Sequence, residues 1–213
     1  MTSMAPARHL SPLDAGSPLG LRERKKIKTR TAIRTATYAL VEEQGYDATT
    51  IEQIADRAEV SPSTVFRYFP TKEDIVLTDE FDPLLLQELA KRPADEPWMV
   101  SLRHIMRLAV RAGLAEEEAA HTRLRSHLLA HVPAVRSRML ESMSVTGRLL
   151  AEAVASRTGR EKDGLEARVY TMSLIGGLSE VTLYWAENDF RDDLMDLLDR
   201  ALDVLEHGLP QTP

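Results

Sequence analysis

The chain has 213 residues, 43% of them apolar, no cysteine and a formal net charge of −6. That apolar share fills one full core or two modest ones, and the missing cysteines exclude disulfides, thiolate nucleophiles and cysteine-based zinc sites. No apolar run is long enough to span a bilayer, and the first twenty residues lack the apolar centre of a secretion signal, so the expectation is a cytoplasmic protein with no membrane partner.

The charge is distributed unevenly. Residues 22–72 hold ten Lys or Arg against seven Asp or Glu, whereas residues 73–213 hold sixteen against twenty-five. Arg22, Arg24, Lys25, Lys26, Lys28, Arg30 and Arg34 crowd into thirteen positions. Alone, such a run reads as a solvated helix start; beside a DNA-reading motif it reads as a phosphate-facing surface.

Residues 1–21 carry Pro6, Pro12, Pro18, Gly16 and Gly20 without a periodic apolar pattern, which predicts a flexible tail. Ile33, Ala36, Thr37, Leu40 and Val41 then form one buried stripe of a helix over 23–44, stopped by a left-handed Gly45. Thr49 or Thr50, each with Glu52 or Gln53 three residues on, opens a second helix of about nine residues. Ser61 caps a third, with Pro62 in its first turn, Val65 and Phe69 facing inward and Pro70 ending it. Thr71 and Asp74 restart the chain as a fourth helix that packs back through Ile75, Val76 and Leu77, and Pro83 should kink or break it near Phe81 and Asp82. After a loop over 91–97, helical patterns follow at 98–115, 116–131, 133–157, 161–187 and 190–207. Neither strand patterns nor repeats are present. The fold class is therefore all-α: an N-terminal three-helix helix-turn-helix unit over 22–72 and a larger helical domain over 73–209.

The short helices around Ala58, Glu59 and Val60 form a helix-turn-helix, whose second member can enter a major groove while the first lies across the backbone. Ser61, Ser63 and Thr64 place hydroxyls near a helix start, where N–H groups attract phosphate. Arg67 can fork onto a guanine edge. Phe66 and Tyr68 are harder to place inside than Val65 and Phe69, because so short a helix cannot turn all four inward. The stretch TTIEQIADRAEVSPSTVFRYFPTKEDI, within residues 23–77, resembles the signature of the TetR family of regulators. The resemblance implies backbone contacts from Thr50, Ser61, Thr64, Phe66 and Lys72 and base contacts from Ser63, Arg67 and Tyr68; Arg24 and Lys28 of the basic run and Pro62 at the third helix start are further DNA-contact candidates. Glu59 stands where that family often has glycine, and Tyr68 where histidine or asparagine is frequent.

The same resemblance implies a C-terminal domain that forms a homodimer through its last two long helices and holds an effector between the others. ARVYTMSLIGGLSEVTLYWAEN, residues 167–188, has Gly176 and Gly177 at its centre, a cost that a close helix approach would offset. Leu194, Leu197, Leu198, Ala201, Leu202 and Leu205 form one stripe suited to pairing with a second subunit. The effector-site candidates are Met106, Val110, His127, Met139, Met143, Met172 and Gly176, methionine being adaptable to irregular apolar ligands and as often plain core. His127 and His131 lack a carboxylate at a ligand offset, so no metal and no cofactor is assigned. Residues 98–185, especially HVPAVRSRMLESM, look like sensor domains of actinobacterial regulators grouped with acyl-CoA-like ligand binders.

Hydrolase, metalloprotease, nucleotide-binding and dinucleotide-binding signatures are missing, so no enzyme is expected. The expected function is that of a ligand-responsive repressor released from an inverted-repeat operator in double-stranded DNA by a small, largely apolar, acyl-type effector. The alternative is a regulator of the same fold without an effector, which predicts no cavity where the first predicts one of several hundred Å³.

Overall fold

The computed structural model describes residues 20–78, 82–116 and 118–209, and among these the chain forms ten helices and no strand. In chain order they are α1 (Leu21–Gln44), α2 (Ile51–Arg57), α3 (Pro62–Tyr68), α4 (Lys72–Leu77), α5 (Asp82–Ala90), α6 (Trp98–Gly113), α7 (Ala119–His131), α8 (Pro133–Thr158), α9 (Leu165–Glu187) and α10 (Leu194–His207). The expected tail lies outside the described residues up to position 19; its last residue, Leu21, already belongs to α1.

Each boundary has a local cause. Gly45 ends α1 at φ 85°, a positive angle that favours glycine, although its ψ of 162° is extended rather than left-handed helical. Thr50, not Thr49, caps α2 in a reciprocal box with Gln53. The fourth helix does not run on to a kink at Pro83. It ends at Leu77, where the Thr78 N–H and hydroxyl both return to the Asp74 carbonyl, and Pro83 lies in the first turn of the new helix α5, where it has no helical hydrogen bond to break. The Phe81 part of that expectation falls outside the described residues. α9 and α10 begin later than their periodicity suggests. Asp189 and Phe190 adopt left-handed φ, and the Asp193 carboxylate caps α10 by accepting from Met195 and Asp196. α7 and α8 are joined by Val132 alone, which ends one helix and precedes Pro133 of the next.

Three of the four buried apolar clusters among the described residues set how the elements meet. Ile33, Leu40, Ile54, Ala55, Val65, Phe69 and Ile75 close the N-terminal unit. Leu89, Trp98, Leu102, Ile105, Val154, Leu174, Leu198 and Leu202 fill the larger unit. Between them Val41, Tyr46 and Val76 pack with Leu128, Leu129, Val135 and Leu183, so α4 contributes to two clusters and this one joins the two units. Burial of this kind stabilises by about 25 cal/mol per Å². Arg103 and Arg107 of α6 add ion pairs to Asp199 of α10. The Arg107 guanidinium, and after it that of Arg103, holds the Asp199 carboxyl below its ordinary value.

The α10 stripe is turned into its own subunit: Leu197, Leu198 and Leu202 are buried within the chain. Gly177 rather than Gly176 makes the close approach, since a Cβ there would stand 3.0 Å from Leu205 Cδ1 of α10, while one on Gly176 would meet nothing within 4 Å.

Glu59, in the turn between α2 and α3, sits at φ 54°. A side-chain-bearing residue in that region costs about 1 kcal/mol, part of which glycine forfeits through its freer unfolded chain. Glu59→Gly is expected to raise the melting midpoint by about 1–4 °C, and Glu59→Ala to leave it within error; equal midpoints for all three proteins in calorimetry would refute the strain.

Candidate DNA interface and ligand cavity

The recognition surface follows from the way α3 is fixed. Val65 and Phe69 are buried at 0% and 1% exposure, and this anchors one face of a two-turn helix. Its opposite face then presents Pro62, Ser63, Phe66 and Arg67 to solvent, Phe66 at 51% exposure. Ser61 accepts from the Thr64 N–H and its hydroxyl lies 2.8 Å from that of Ser63 and 2.9 Å from that of Thr64, so the three hydroxyls form one cluster at the helix start. Tyr68 is half-buried against the N-terminal core, unlike Phe66, and the Arg67 guanidinium lies 5.2 Å over its ring. α2 is held in place by the Thr50–Gln53 box and by a two-pronged ion pair from Arg57 to Glu43 of α1, both bonds 2.7 Å.

The basic run on α1 divides into two parts. Arg22, Arg24, Lys25, Lys26 and Lys28 are exposed. Arg30 and Arg34 are half-buried: the Arg30 guanidinium stacks 4.8 Å from the Phe69 ring centre, and Arg34 Nη1 donates to the Thr78 carbonyl at 3.2 Å. Lys72 also turns inward. Its Nζ donates to the Tyr46 and Thr49 carbonyls at 2.8 and 3.0 Å and stands 4.0 Å from the Tyr46 ring centre. The Tyr46 hydroxyl in turn donates to Glu73 at 2.7 Å. Burial, then the Glu73 carboxylate, push the Tyr46 phenol far above its ordinary value, so it remains a donor. Burial pushes the Glu73 carboxyl up, but bonds from Tyr46, its own backbone N–H and Thr71, together with Lys72, outweigh it and leave the group below its ordinary value. Across the same helix, Arg138 of α8 bonds Asp74 at 2.8 Å, tying α4 to the larger unit.

A cavity of about 240 Å³ opens beside these anchors. Leu85 of α5, Met106, Ala109 and Val110 of α6, Leu178, Val181 and Trp185 of α9, and Leu194 and Leu198 of α10 give it an apolar wall. Arg34 and Tyr38 of α1, with Glu118, His121, Thr122, Arg125 and Ser126 on or beside α7, give it a polar one. The rings of Tyr38 and His121 approach to 4.9 Å, and His121 Nδ1 is 3.7 Å from Glu118. The wall is thus more polar than the expected lining, because α1 and α7 contribute their mixed faces.

Of the effector-site candidates read from the sequence, Met106 and Val110 line this cavity. The others lie elsewhere. His127 is exposed and stacks on His131 at 4.3 Å, Met139 packs in the core between the units, Met172 borders a second pocket of about 350 Å³ between α8 and α9, and neither Met143 nor Gly176 reaches the first cavity. Sequence reasoning missed Tyr38, His121, Thr122, Arg125 and Ser126. The spacing of 121, 122, 125 and 126 marks one helical face, but nothing in it distinguishes a cavity wall from a solvated face. Arg34 was visible only as the last member of the basic run.

Residues 33–78 match the family described as "Bacterial regulatory proteins, tetR family", and residues 96–210 match the one described as "MftR C-terminal domain". The transcriptional regulator TcmR of Streptomyces glaucescens is 36% identical over 152 residues, an alignment covering 68% of this chain and 66% of that protein's length. The solved structure of Thermus thermophilus FadR, a TetR-family transcriptional repressor in complex with lauroyl-CoA, matches with a TM-score of 0.56 at 26% identity, over 86% of this chain and 96% of that one. FadR of Bacillus subtilis in complex with stearoyl-CoA matches in fold, with a TM-score of 0.58 at 20% identity over 84% and 99% of the two chains.

Lys72 bridges the α1–α2 connection to α4, so its loss takes the ammonium from the Thr49 carbonyl and leaves the Tyr46 carbonyl only the Thr49 N–H. Lys72→Met, which keeps the apolar stem, is expected to destabilise the protein by about 1–3 kcal/mol. Urea titration checks this; an unchanged midpoint would remove the structural part of the role.

Proposed function

The chain belongs to the TetR family of bacterial regulatory proteins, whose members are DNA-binding transcriptional regulators and not enzymes, and on that premise we propose that it is a repressor released from an inverted-repeat operator by a small acyl-type effector. The observation that carries this reading is that one cavity is walled both by α1 of the N-terminal unit and by α6, α7, α9 and α10. A molecule held there touches the element that carries the exposed basic run. An effector that fits one arrangement of these helices better than another weakens DNA binding by that difference in affinity and no more. The cavity is smaller, at about 240 Å³, than the several hundred Å³ expected, but its presence favours this reading over a regulator without an effector. The lauroyl-CoA held by Thermus thermophilus FadR supports the acyl class.

In the proposed complex Ser63, Arg67 and Tyr68 meet base edges. Thr50, Ser61, Pro62, Thr64 and Phe66 lie along the backbone, and Arg24, Lys28 and Lys72 supply charge to phosphate. Residues 22–72 are the reading unit and 73–209 the effector and dimer unit, with α4 as the joint between them. The homodimer forms through α9 and α10. Val169, Met172 and Tyr184 on α9 and Val204 on α10 are exposed and apolar, and they supply the face that the buried leucine stripe of α10 does not. Two copies then set their α3 helices about 34 Å apart, one turn of duplex.

Selection of bound duplexes from a random pool tests the operator reading: an inverted repeat is expected to be enriched, and no enrichment refutes it. On the selected duplex, Arg67→Ala should cost about 1–3 kcal/mol at one base position and relax preference there. Arg24→Ala should weaken every sequence alike and lower the salt slope by about one for each phosphate it no longer neutralises. Uniform losses from Arg67→Ala would reassign that side chain to the backbone.

A further inference from the structure

We propose that Arg34 is the residue through which the cavity acts on the DNA-binding helices, by binding the anionic head of an otherwise apolar effector in competition with the Thr78 carbonyl. The inference rests on the effector-responsive reading above and adds the ligand's head-group chemistry and the contact that it displaces.

Arg30, Arg34 and Tyr38 repeat every four residues along one face of α1, and each meets a different element. Arg30 lies over Phe69 at the end of α3, Arg34 bonds the carbonyl at the end of α4, and Tyr38 packs on His121 in the cavity wall. Arg34 is the middle member and belongs to both structures: its side chain lines the cavity while its Nη1 holds Thr78. The Thr78 carbonyl is neutral and accepts one N–H of the guanidinium. A carboxylate accepts two in parallel and carries the opposite charge, which makes it the stronger partner.

The surroundings favour an acid. Arg34 lines the polar end of the cavity, whose wall there also carries Arg125, Glu118 and His121. The apolar wall, from Met106 and Val110 to Leu178 and Val181, suits a hydrocarbon tail extending away from this end.

The bond at stake has a structural consequence. Thr78 closes α4 through two bonds to the Asp74 carbonyl, and the Asp74 carboxylate is held by Arg138 of α8. α4 therefore hangs between Arg34 on one side and Arg138 on the other. Drawing Arg34 to a ligand releases one support of a helix whose Ile75 packs in the same core as Val65 and Phe69.

The test uses octanoate and 1-octanol, which share a chain and differ in head charge, with binding followed by the fluorescence of Trp185 in the cavity wall. Wild-type protein is expected to bind octanoate about tenfold to a hundredfold more tightly than octanol. Arg34→Gln should bind the two alike, bind the selected operator about tenfold more weakly with an unchanged salt slope, and no longer respond to octanoate. Octanol binding by Arg34→Gln shows that its cavity is intact. If that variant does not fold, Arg34→Lys replaces it, and several-fold loss of the acid preference is expected because lysine lacks the planar fork. A full acid preference in either variant, or a salt slope lowered by about one in Arg34→Gln, overturns the role of Arg34 and leaves the effector-responsive reading standing. Binding of neither probe by wild-type protein overturns both.

Discussion

Ile75 and Val76 are neighbours in sequence, both fully buried, and they enter different cores. Successive side chains on a helix diverge by about a quarter turn, so a helix that buries two of them has two packed faces. α4 is that helix. Packed into both cores, α4 is too short to absorb a displacement by bending, and packed interiors of this density transmit a shift more readily than they dissipate it.

The polar anchors of α4 reinforce this constraint. Lys72 reaches back to the α1–α2 connection, Glu73 accepts from Tyr46, Asp74 pairs with Arg138, and Thr78 accepts from Arg34. Four residues bonded from two directions fix the helix at both ends. Apolar contacts set its depth, and the directional bonds set its rotation and register. A single side chain such as Arg34 can then select between arrangements without opening a core.

The N-terminal unit was largely legible in the sequence because its signals are local. Thr50 and Gln53, Ser61 and Pro62, Gly45 and the Val65–Phe69 pair each specify a boundary or a face within a few residues. The cavity was not legible, because it is assembled from α1, α5, α6, α7, α9 and α10 and no short pattern encodes their meeting. Methionine is adaptable to ligands and cores alike, and Met139 packs between the units while Met172 is exposed beside a groove. The leucine stripe of α10 misled for a related reason: period shows that a face is buried, not which partner buries it. Lys72 was legible as a cation on α4, but not as one turned toward backbone carbonyls.

Val132 joins α7 to α8 by itself, at φ −105° and ψ 107°. It has only two soft torsions, and both are restricted: its branched side chain stiffens it, and the proline that follows confines it to extended backbone. The two helices therefore behave as one bent rod rather than as two elements on a swivel. One arm carries His121, Thr122 and Arg125 of the cavity wall; the other carries Arg138, which holds Asp74. The bent rod thus joins one wall of the cavity, through a single stiff residue, to the ion pair that holds α4.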